Sequence, residues 1–247
     1  TETTGLDTRT AQLLGIAFSI EKGTAFYVSI PDNEDEAKAV CAEFQSLFSD
    51  GKKTLIAQNL KYDLCIMFRY DVTISAKTFD TMIAHYLINP DMRHGMDLLS
   101  ETYLGYQPQS ITELIGKKGK NQGTMKDVPL EKVTEYAGED ADITLQLFEE
   151  FGPKLEELEA SKLFNEVEMP LIPVLGAMEM EGINLDVPAL KAMSEELNTD
   201  LMRLQGEIKE LAGVDDFNIQ SPKQLGEVLF DHLKIDEKAK RTGKTKQ

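Results

Sequence analysis

The sequence predicts an α/β protein with a mixed sheet flanked by helices, followed by a segment that is entirely helical. Two apolar runs, residues 11–20 and 24–30, are joined by Glu21-Lys22-Gly23, a connection typical of a β-hairpin. A short strand pattern over Thr54–Ala57 is followed by a helical pattern over residues 60–68. From Leu130 onward no strand pattern remains. We therefore predict an α/β domain over residues 1–160 and a helical segment over 161–247.

The α/β part contains further predicted elements. Residues 1–4 are interpreted as the end of a third strand beside the hairpin. Asp32 is the expected N-cap of a helix whose apolar stripe runs from residue 37 to 48. A helix is predicted over Thr78–Ile88, with Thr78 or Asp80 as its cap, and another over residues 96–104. Residues 116–123 form a basic, glycine-rich loop in this prediction.

Four helical stretches are predicted in the remainder of the chain. The first covers residues 130–158 with an interruption at Gly152-Pro153, and the second covers 164–180, with two prolines near its first turn or at a kink. A long amphipathic helix follows over 188–211. Ser221 and Pro222 predict the N-cap and first position of the last helix, which ends near Leu233.

Composition and charge restrict the possible functions. The 247 residues carry a net charge of −17, which argues against broad, non-specific binding to a polyanion. A nucleic-acid enzyme is still compatible with this charge, because a site for divalent metals needs carboxylates. Five basic and no acidic residues lie in 238–247, so this tail is interpreted either as a phosphate contact or as a solubilising tail.

Localisation and redox state follow from what the sequence contains. No apolar run approaches the ~20 residues of a membrane helix and no signal peptide is visible, so we expect no membrane association. The chain does not begin with Met, which suggests a fragment or a processed product. Cys41 and Cys65 lack metal-ligand spacing and are interpreted as buried thiols in a reducing cytoplasm. His85, His94 and His232 are interpreted as ordinary surface or packed residues.

Three separate places offer carboxylates for a possible metal site. Tyr136 and Asp140 lie four residues apart on one helix face, Asp63 follows a strand in the first turn of a helix, and Glu2 lies in the first strand. Two-metal hydrolysis of a phosphodiester needs acids from several elements, because one helix cannot surround both ions. On spacing alone, a solvated acidic helix face and a terminal acid remain the simpler interpretation.

Three ordered motifs carry a resemblance to a known family. These are Thr1-Glu2-Thr3-Thr4-Gly5-Leu6-Asp7, Gln58-Asn59-Leu60-Lys61-Tyr62-Asp63 and Tyr136-Ala137-Gly138-Glu139-Asp140-Ala141-Asp142. In order and separation they resemble the three motifs of the 3′–5′ proofreading exonuclease domain of bacterial family A DNA polymerases. Residues 93–97 and 119–122 also look like that domain, and residues 168–175 and 218–225 look like the start of the polymerase domain and its helical thumb. The resemblance covers nearly the whole chain and implies a ribonuclease H-like fold followed by an all-α thumb segment.

The resemblance implies catalytic and metal-binding roles for four residues. Glu2 and Asp140 would bind the ion that activates the water, Asp63 would serve a second ion, and Tyr136 would hold the attacking hydroxide. The implied cofactors are two divalent ions, Mg²⁺ with Mn²⁺ or Zn²⁺ as alternatives. Asp142 fits the motif without an implied ligand role and is interpreted as a structural acid.

The resemblance also implies how DNA is bound. Leu6 would wedge against the terminal bases of a single-stranded or frayed 3′ end, and Gln58, Asn59 and Arg93 would help to hold that strand. Duplex DNA would contact the thumb segment. The implied context is a monomer in the bacterial cytoplasm, with no membrane partner.

Two departures from the family pattern affect these expectations. The family's first motif is Asp-x-Glu, whereas this sequence begins with the middle residue, so we expect weak or no nuclease activity from this chain alone. The palm and fingers of a polymerase are missing, so we expect no DNA synthesis by this fragment. A non-catalytic, exonuclease-like scaffold is the alternative function. A related 3′–5′ exoribonuclease is disfavoured by the thumb-like helices.

Overall fold

A computed structural model describes residues 1–236, which form two compact units. The first unit is Thr1–Gly182 and the second begins at Ile183, so each unit is described by itself. The basic tail predicted to contact phosphate, residues 238–247, lies outside the described residues.

An antiparallel sheet of three strands opens the first unit. Its strands are β1 (Glu2–Thr3), β2 (Leu13–Glu21) and β3 (Thr24–Ser29), in spatial order β1-β2-β3. The register places Glu2 opposite Gly15, and Gly23 turns the hairpin with a φ of +79°. The predicted meander of three strands is therefore confirmed.

A second sheet contains the parallel pair β4 (Thr54–Ala57) and β5 (Lys77–Asp80). The prediction that Thr78 lies in a helix is wrong, because residues 77–80 pair with β4 and the helix begins only at Thr81. Asp80 caps that helix by accepting hydrogen bonds from the backbone N–H groups of Met82 and Ile83. Antiparallel and parallel strand pairs, the two kinds that a mixed sheet contains, are thus both present, in two separately hydrogen-bonded sheets.

Helices surround these strands. In the first unit they are α1 (Glu34–Glu43), α2 (Gln45–Phe48), α3 (Leu60–Arg69), α4 (Thr81–Ile88), α5 (Met96–Leu99), α6 (Ile111–Ile115), α7 (Leu130–Glu157), α8 (Ser161–Leu163) and α9 (Met169–Glu181). π-Helical turns continue α5 over Ser100–Leu104 and join α8 to α9 over Phe164–Glu168, and a 3₁₀ turn covers Met125–Asp127. The N-cap of α1 is Asn33, whose side chain accepts from Glu36 N–H, so the prediction of Asp32 as the cap is wrong.

The long helix α7 crosses the predicted break at Gly152-Pro153 without interruption, so that prediction is wrong. Proline removes one helical hydrogen bond and crowds the preceding turn. Phe151 and Leu155 on either side of Pro153 are fully or nearly fully buried. Packing of these flanking side chains therefore offsets the loss within the helix.

Two apolar clusters form the core of the first unit. One lies between the antiparallel sheet and the helices α1 and α3, and the other surrounds α7, with Phe79, Leu99 and Leu147 at its centre. Cys41 and Cys65 are buried free thiols, as predicted. Phe164 and Ile172 belong to the second cluster, so residues 161–182, which the sequence assigned to the helical segment, pack with the first unit.

The second unit contains α10 (Val187–Ala212) and α11 (Pro222–Gly226), which is extended by a π-helical turn over Glu227–His232. Ser221 caps α11 as predicted, by accepting from Gln224 N–H. A small cluster of Ala212, Phe217 and Val228 forms the core of the described part of this unit. Among residues 1–236, no helix combines the length and apolar character needed to cross a membrane.

Candidate active site

The three predicted metal-binding carboxylates come from three elements of the first unit. Glu2 lies on β1, Asp63 in the first turn of α3, and Asp140 in the middle of α7, which packs across β2 and β3. Each carboxylate influences the ionisation of at least one other, so the fold places all three within electrostatic reach. Residues far apart in the sequence are thus gathered into one acidic site.

Burial and mutual repulsion move the titration of two of these acids up to neutral pH. Burial raises the pKa of Glu2 to about 7, and the negative charge of Asp63 adds to this shift against the opposing Thr1 amino group. Burial also raises the pKa of Asp140 to about 7, and the charge of Glu2 contributes next. Carboxylates with such raised pKa values have a strong electrostatic reason to bind a cation.

Tyr136 lies one helical turn before Asp140, as the sequence predicted. Burial, followed by the charges of Asp140 and Glu2, raises the pKa of Tyr136 well above its usual range. The phenol therefore keeps its proton at neutral pH. The phenol donates this proton to the Asp140 carboxylate, so its oxygen remains able to accept a hydrogen bond from a water.

Asp63 is held against the first strand. The α-amino group of Thr1 donates to Asp63 Oδ1 at 2.9 Å and the Thr1 hydroxyl donates to the same oxygen at 2.7 Å. The neighbouring Tyr62 hydroxyl donates to the carbonyl of Gly5 at 2.6 Å, so two consecutive side chains of α3 fix the position of β1. The positive charge of the amino group lies within electrostatic reach of Glu2 and Asp140 as well as Asp63.

The donor set can be tested for its fit to metal ions. Within residues 1–236, no three His, Cys, Asp or Glu side chains are arranged closely enough to form a ready cation site. The chemistry of the set nevertheless suits a hard divalent cation, because all three donors are carboxylates, the oxygen ligands that such ions prefer.

Two glycines allow close contacts at this site, one within the antiparallel sheet and one between that sheet and α7, and spacing arguments missed both. A Cβ on Gly15 would lie 2.0 Å from the hydroxyl oxygen of Tyr27, so the phenol ring passes directly over Gly15. Burial and the charge of Glu2 raise the pKa of Tyr27 to about 12. A Cβ on Gly138 of α7 would lie 3.3 Å from Cβ of Ala25 on β3. Only strand register, which the sequence does not specify directly, brings Tyr27 next to Glu2.

Asp80 positions the start of α3, a role that the sequence suggested only for α4. Its carboxylate, 2% exposed, accepts from Leu60 N–H at 2.7 Å and from Asn59 N–H at 3.3 Å, in addition to capping α4. Asn59 has a φ of +66°, a left-handed conformation that Asn tolerates better than most residues. One buried carboxylate thus fixes the turn that carries Asn59 and orients α3, on which Asp63 lies.

The predicted DNA-contacting residues are divided between an open cleft and the protein interior. Leu6, 91% exposed, and Asn59 line a cleft of about 390 Å³ that also contains Arg9, Lys61 and Tyr62. The side chain of Leu6 is therefore free to contact a ligand. The two cations of the cleft are paired with acids that also line it, Arg9 with Asp7 and Lys61 with Glu179.

Gln58 is engaged within the protein, whereas Arg93 is exposed. The Gln58 amide nitrogen donates to the carbonyl of His94 at 2.8 Å, and its amide oxygen accepts from the Thr81 hydroxyl. Both ends of the Gln58 amide thus have protein partners. This arrangement brings the Arg93–His94 segment next to the turn at Gln58.

Asp142 has the structural role that the sequence predicted. Its Oδ1 accepts from Gly23 N–H at 2.7 Å and its Oδ2 accepts from the Gln146 amide at 2.8 Å. The side chain therefore anchors the β2–β3 hairpin to α7. It stabilises the scaffold of the site.

Comparisons with known families agree with this arrangement. Residues 1–156 match the 3′–5′ exonuclease family, and residues 187–247 match DNA polymerase family A. The DNA polymerase I of Borreliella burgdorferi is 38% identical over 246 residues, and that of Pseudomonas aeruginosa is 35% identical over 244. These alignments cover 98% and 94% of this chain but only 26% of each relative, so the chain spans about a quarter of their length.

Solved structures share the fold. The POL domain of Pol1 from M. smegmatis, in complex with DNA primer-template and dNTP, has a TM-score of 0.72 at 22% identity. The match covers 94% of this chain and 36% of that one. Brucella melitensis NrnC with bound Mg²⁺ has a TM-score of 0.60 at 22% identity, over 74% of this chain and 83% of the other. The predicted fold class, a ribonuclease H-like exonuclease fold followed by a helical segment, is confirmed.

Proposed function

This chain belongs to the DNA polymerase I family, and we propose that its first unit removes nucleotides from the 3′ end of DNA. Its 3′–5′ exonuclease segment is followed by the start of a family A polymerase segment. The whole protein, of which relatives suggest this is about a quarter, would combine this proofreading with DNA synthesis. We place it in the bacterial cytoplasm as a monomer.

The observation that carries the proposal is the convergence of Glu2, Asp63 and Asp140 in one partly buried, electrostatically coupled site. A single acidic helix face in solvent would leave its carboxylates with ordinary ionisation. Here burial and neighbouring acids raise the pKa values of Glu2 and Asp140 to about 7. This pattern is typical of a functional site for cations rather than of a solvated surface.

Two divalent ions, Mg²⁺ first and Mn²⁺ or Zn²⁺ as alternatives, would be held by these carboxylates. Glu2 and Asp140 would share one ion and Asp63 would hold the other. When bound, such ions lower the pKa of water and neutralise charge on the phosphate that is being cleaved. Glu2 and Asp140 would ionise fully on binding, because a nearby cation favours their charged form.

Tyr136 contributes a positioned hydroxyl to the reaction. Its phenol stays protonated at neutral pH, since burial and the charge of Asp140 raise its pKa. It would accept one hydrogen bond from the attacking water and so orient the water oxygen toward the terminal phosphodiester. Such orientation lowers the barrier by fixing the attack geometry in advance.

DNA binding would involve the cleft beside the metal site. Leu6 would insert between the last bases of a frayed strand, Asn59 would bind the sugar-phosphate backbone, and exposed Arg93 would contact a phosphate. Gln58 would act by holding the turn, since both ends of its amide have protein partners. The chain's net charge of −17 would limit binding to such local cationic positions.

Metal binding is tested by calorimetric titration of Mn²⁺ into the 247-residue chain and into Asp140→Ala. We expect the binding heat to be lost or strongly reduced in Asp140→Ala. Glu135→Ala, which removes an exposed acid from the same helix, is the matched control and should titrate like the wild type. Identical titrations of the wild type and Asp140→Ala would refute the assignment of the metal site.

Hydrolysis is tested with a 5′-labelled single strand and Mg²⁺. Because the family's first motif has an aspartate before the residue matching Thr1, the assay uses this chain extended by that aspartate. We expect stepwise shortening from the 3′ end, which EDTA and Asp140→Ala both abolish. An extended chain that binds Mn²⁺ and yet leaves DNA intact would favour the alternative, a non-catalytic exonuclease-like scaffold.

A further inference from the structure

We propose that His85, a buried residue of α4, is a positioning residue for DNA binding, because it holds the Gln58 turn and the Arg93–His94 segment together from inside the fold. The inference rests on the proposed function, since it concerns the segments expected to contact the 3′ strand. It assigns a role to a histidine that the sequence suggested was ordinary packing.

The inner face of α4 carries two polar side chains in an otherwise apolar environment. Thr81 and His85 are four residues apart, so they lie on the same helix face, and both are fully buried. The hydroxyl of Thr81 bonds to the side-chain oxygen of Gln58. His85 Nδ1 lies 2.6 Å from His94 Nδ1.

A third hydrogen bond closes the ring. The Gln58 amide nitrogen donates to the main-chain carbonyl of His94 at 2.8 Å. Thr81, Gln58, His94 and His85 thus form a closed circuit of hydrogen bonds, completed by one turn of α4. The circuit joins the Gln58 turn to the Arg93–His94 segment. No other hydrogen bond joins these two segments within residues 1–236.

His85 is itself fixed on its other side. Its Nε2 lies 3.1 Å from the hydroxyl of Tyr103, and the ring of Phe151 packs against both aromatic rings. Each ring nitrogen of His85 therefore has a partner. Burial, followed by the neighbouring His94, lowers the pKa of His85, which favours its neutral form, in which one ring nitrogen donates and the other accepts.

The circuit has a consequence at the surface. Asn59 follows Gln58 directly, Arg93 precedes His94 directly, and both are exposed. The orientation of each exposed side chain is therefore set by a neighbour that the circuit holds. Buried polar networks of this kind favour a single arrangement only when every member is satisfied. Removing His85 leaves the bonds of Gln58 to Thr81 and to His94 in place but takes away the partner of the His94 ring. It should therefore loosen the Arg93–His94 segment and, through the Gln58–His94 bond, the Gln58 turn.

The experiment compares three substitutions in the 247-residue chain. His85→Leu removes both ring nitrogens at similar volume, whereas His85→Asn keeps a carboxamide nitrogen near the position of Nδ1. Phe151→Leu is the matched control, because it weakens packing against His85 and Tyr103 without removing a member of the circuit. Binding of a fluorescein-labelled single-stranded oligothymidylate is measured by anisotropy, and amide hydrogen exchange is measured by mass spectrometry at 10 °C.

We expect His85→Leu to weaken oligonucleotide binding by roughly 3- to 10-fold, the change that corresponds to one lost hydrogen bond in a network. Amide exchange should accelerate in both segments, residues 58–60 and 93–95. His85→Asn should bind within about twofold of the wild type, and Phe151→Leu should bind normally although it melts at a lower temperature.

Other outcomes would refute either the positioning role of His85 or the proposed function. Equal oligonucleotide binding and unchanged exchange in His85→Leu would refute the positioning role. The same losses in Phe151→Leu would refute it as well, since they would then reflect general destabilisation. A wild-type chain that fails to bind the oligonucleotide would contradict the proposed function, and the exchange rates would decide the positioning role on their own.

Discussion

Neutralising one acid of the candidate site should stabilise the fold at alkaline pH. Asp140→Asn removes a buried carboxylate whose pKa is raised from 3.8 to about 7 by burial and by the charge of Glu2. The folded state therefore binds this proton more tightly than the unfolded state. In the wild type, the stability that comes from this bound proton is fully present below pH ~4 and is lost as the pH rises through about 7.

The magnitude follows from the difference between the two pKa values. A shift of about 3 units corresponds to roughly 4 kcal/mol at pH 8, as an upper limit. Part of this energy is repulsion shared with Glu2, and the buried amide of the variant keeps some desolvation penalty. We therefore expect a net stabilisation of about 2 kcal/mol at pH 8, which raises the melting temperature by roughly 4–8 °C for a unit of this size.

The assay is thermal unfolding followed by circular dichroism between pH 4 and pH 8 in EDTA. The wild type and Asp140→Asn should melt together at pH 4 and diverge as the pH rises. Glu135→Gln, an exposed position on the same helix, should follow the wild type throughout. An Asp140→Asn variant that melts at or below the wild-type temperature at pH 8 would refute the electrostatic reasoning.

Two further substitutions test the framework that positions the site. Asp80→Ala leaves four backbone N–H groups at the starts of two helices without their acceptor, and should destabilise by about 3 kcal/mol in urea unfolding. Asn33→Ala, which removes a cap with one such bond, should lose only about 1 kcal/mol, and equal losses would contradict the double role of Asp80. Gly15→Ala should destabilise by about 1–3 kcal/mol, because its Cβ would overlap the hydroxyl of Tyr27. Gly51→Ala, in open space, is its control, and a neutral Gly15→Ala would mean that Tyr27 moves freely.

The fold was largely predictable from local patterns, and its exceptions have physical reasons. The hairpin and the long helices have strong periodicity and clear turn residues, so their types were predicted correctly. The strand β5 was missed because it has only four residues and runs directly into the cap of α4. Pro153 does not break α7, because tertiary packing of Phe151 and Leu155 overrides a local preference.

The site was predictable only in part. Ordered motifs predicted Glu2, Asp63, Tyr136 and Asp140 as site residues, and in the structure these residues form a connected set of electrostatic interactions. Tyr27 was missed, because its proximity to Glu2 depends on strand register across three strands. The pairing of His85 with His94 was missed for a similar reason, since two histidines nine residues apart meet only after the chain leaves α4 and turns back.

The energetics of the acidic site bear on the choice between a nuclease and a scaffold. A domain that serves only as a scaffold would gain stability from replacing Asp140 or Glu2 by a neutral residue, since each carboxylate is buried beside other acids. Asp142 is different, because Gly23 N–H and the Gln146 amide bind its carboxylate directly. The charged forms of Glu2 and Asp140 thus oppose folding in the absence of a cation, whereas Asp142 supports it by joining the β2–β3 hairpin to α7. A cation that binds only the folded state adds its binding free energy to the stability of the fold. With such a cation, Glu2 and Asp140 would stabilise the folded state instead of opposing it. The raised pKa values of Glu2 and Asp140 therefore support the proposed metal site. They also support the proposed nuclease over a scaffold, because only the nuclease needs that site.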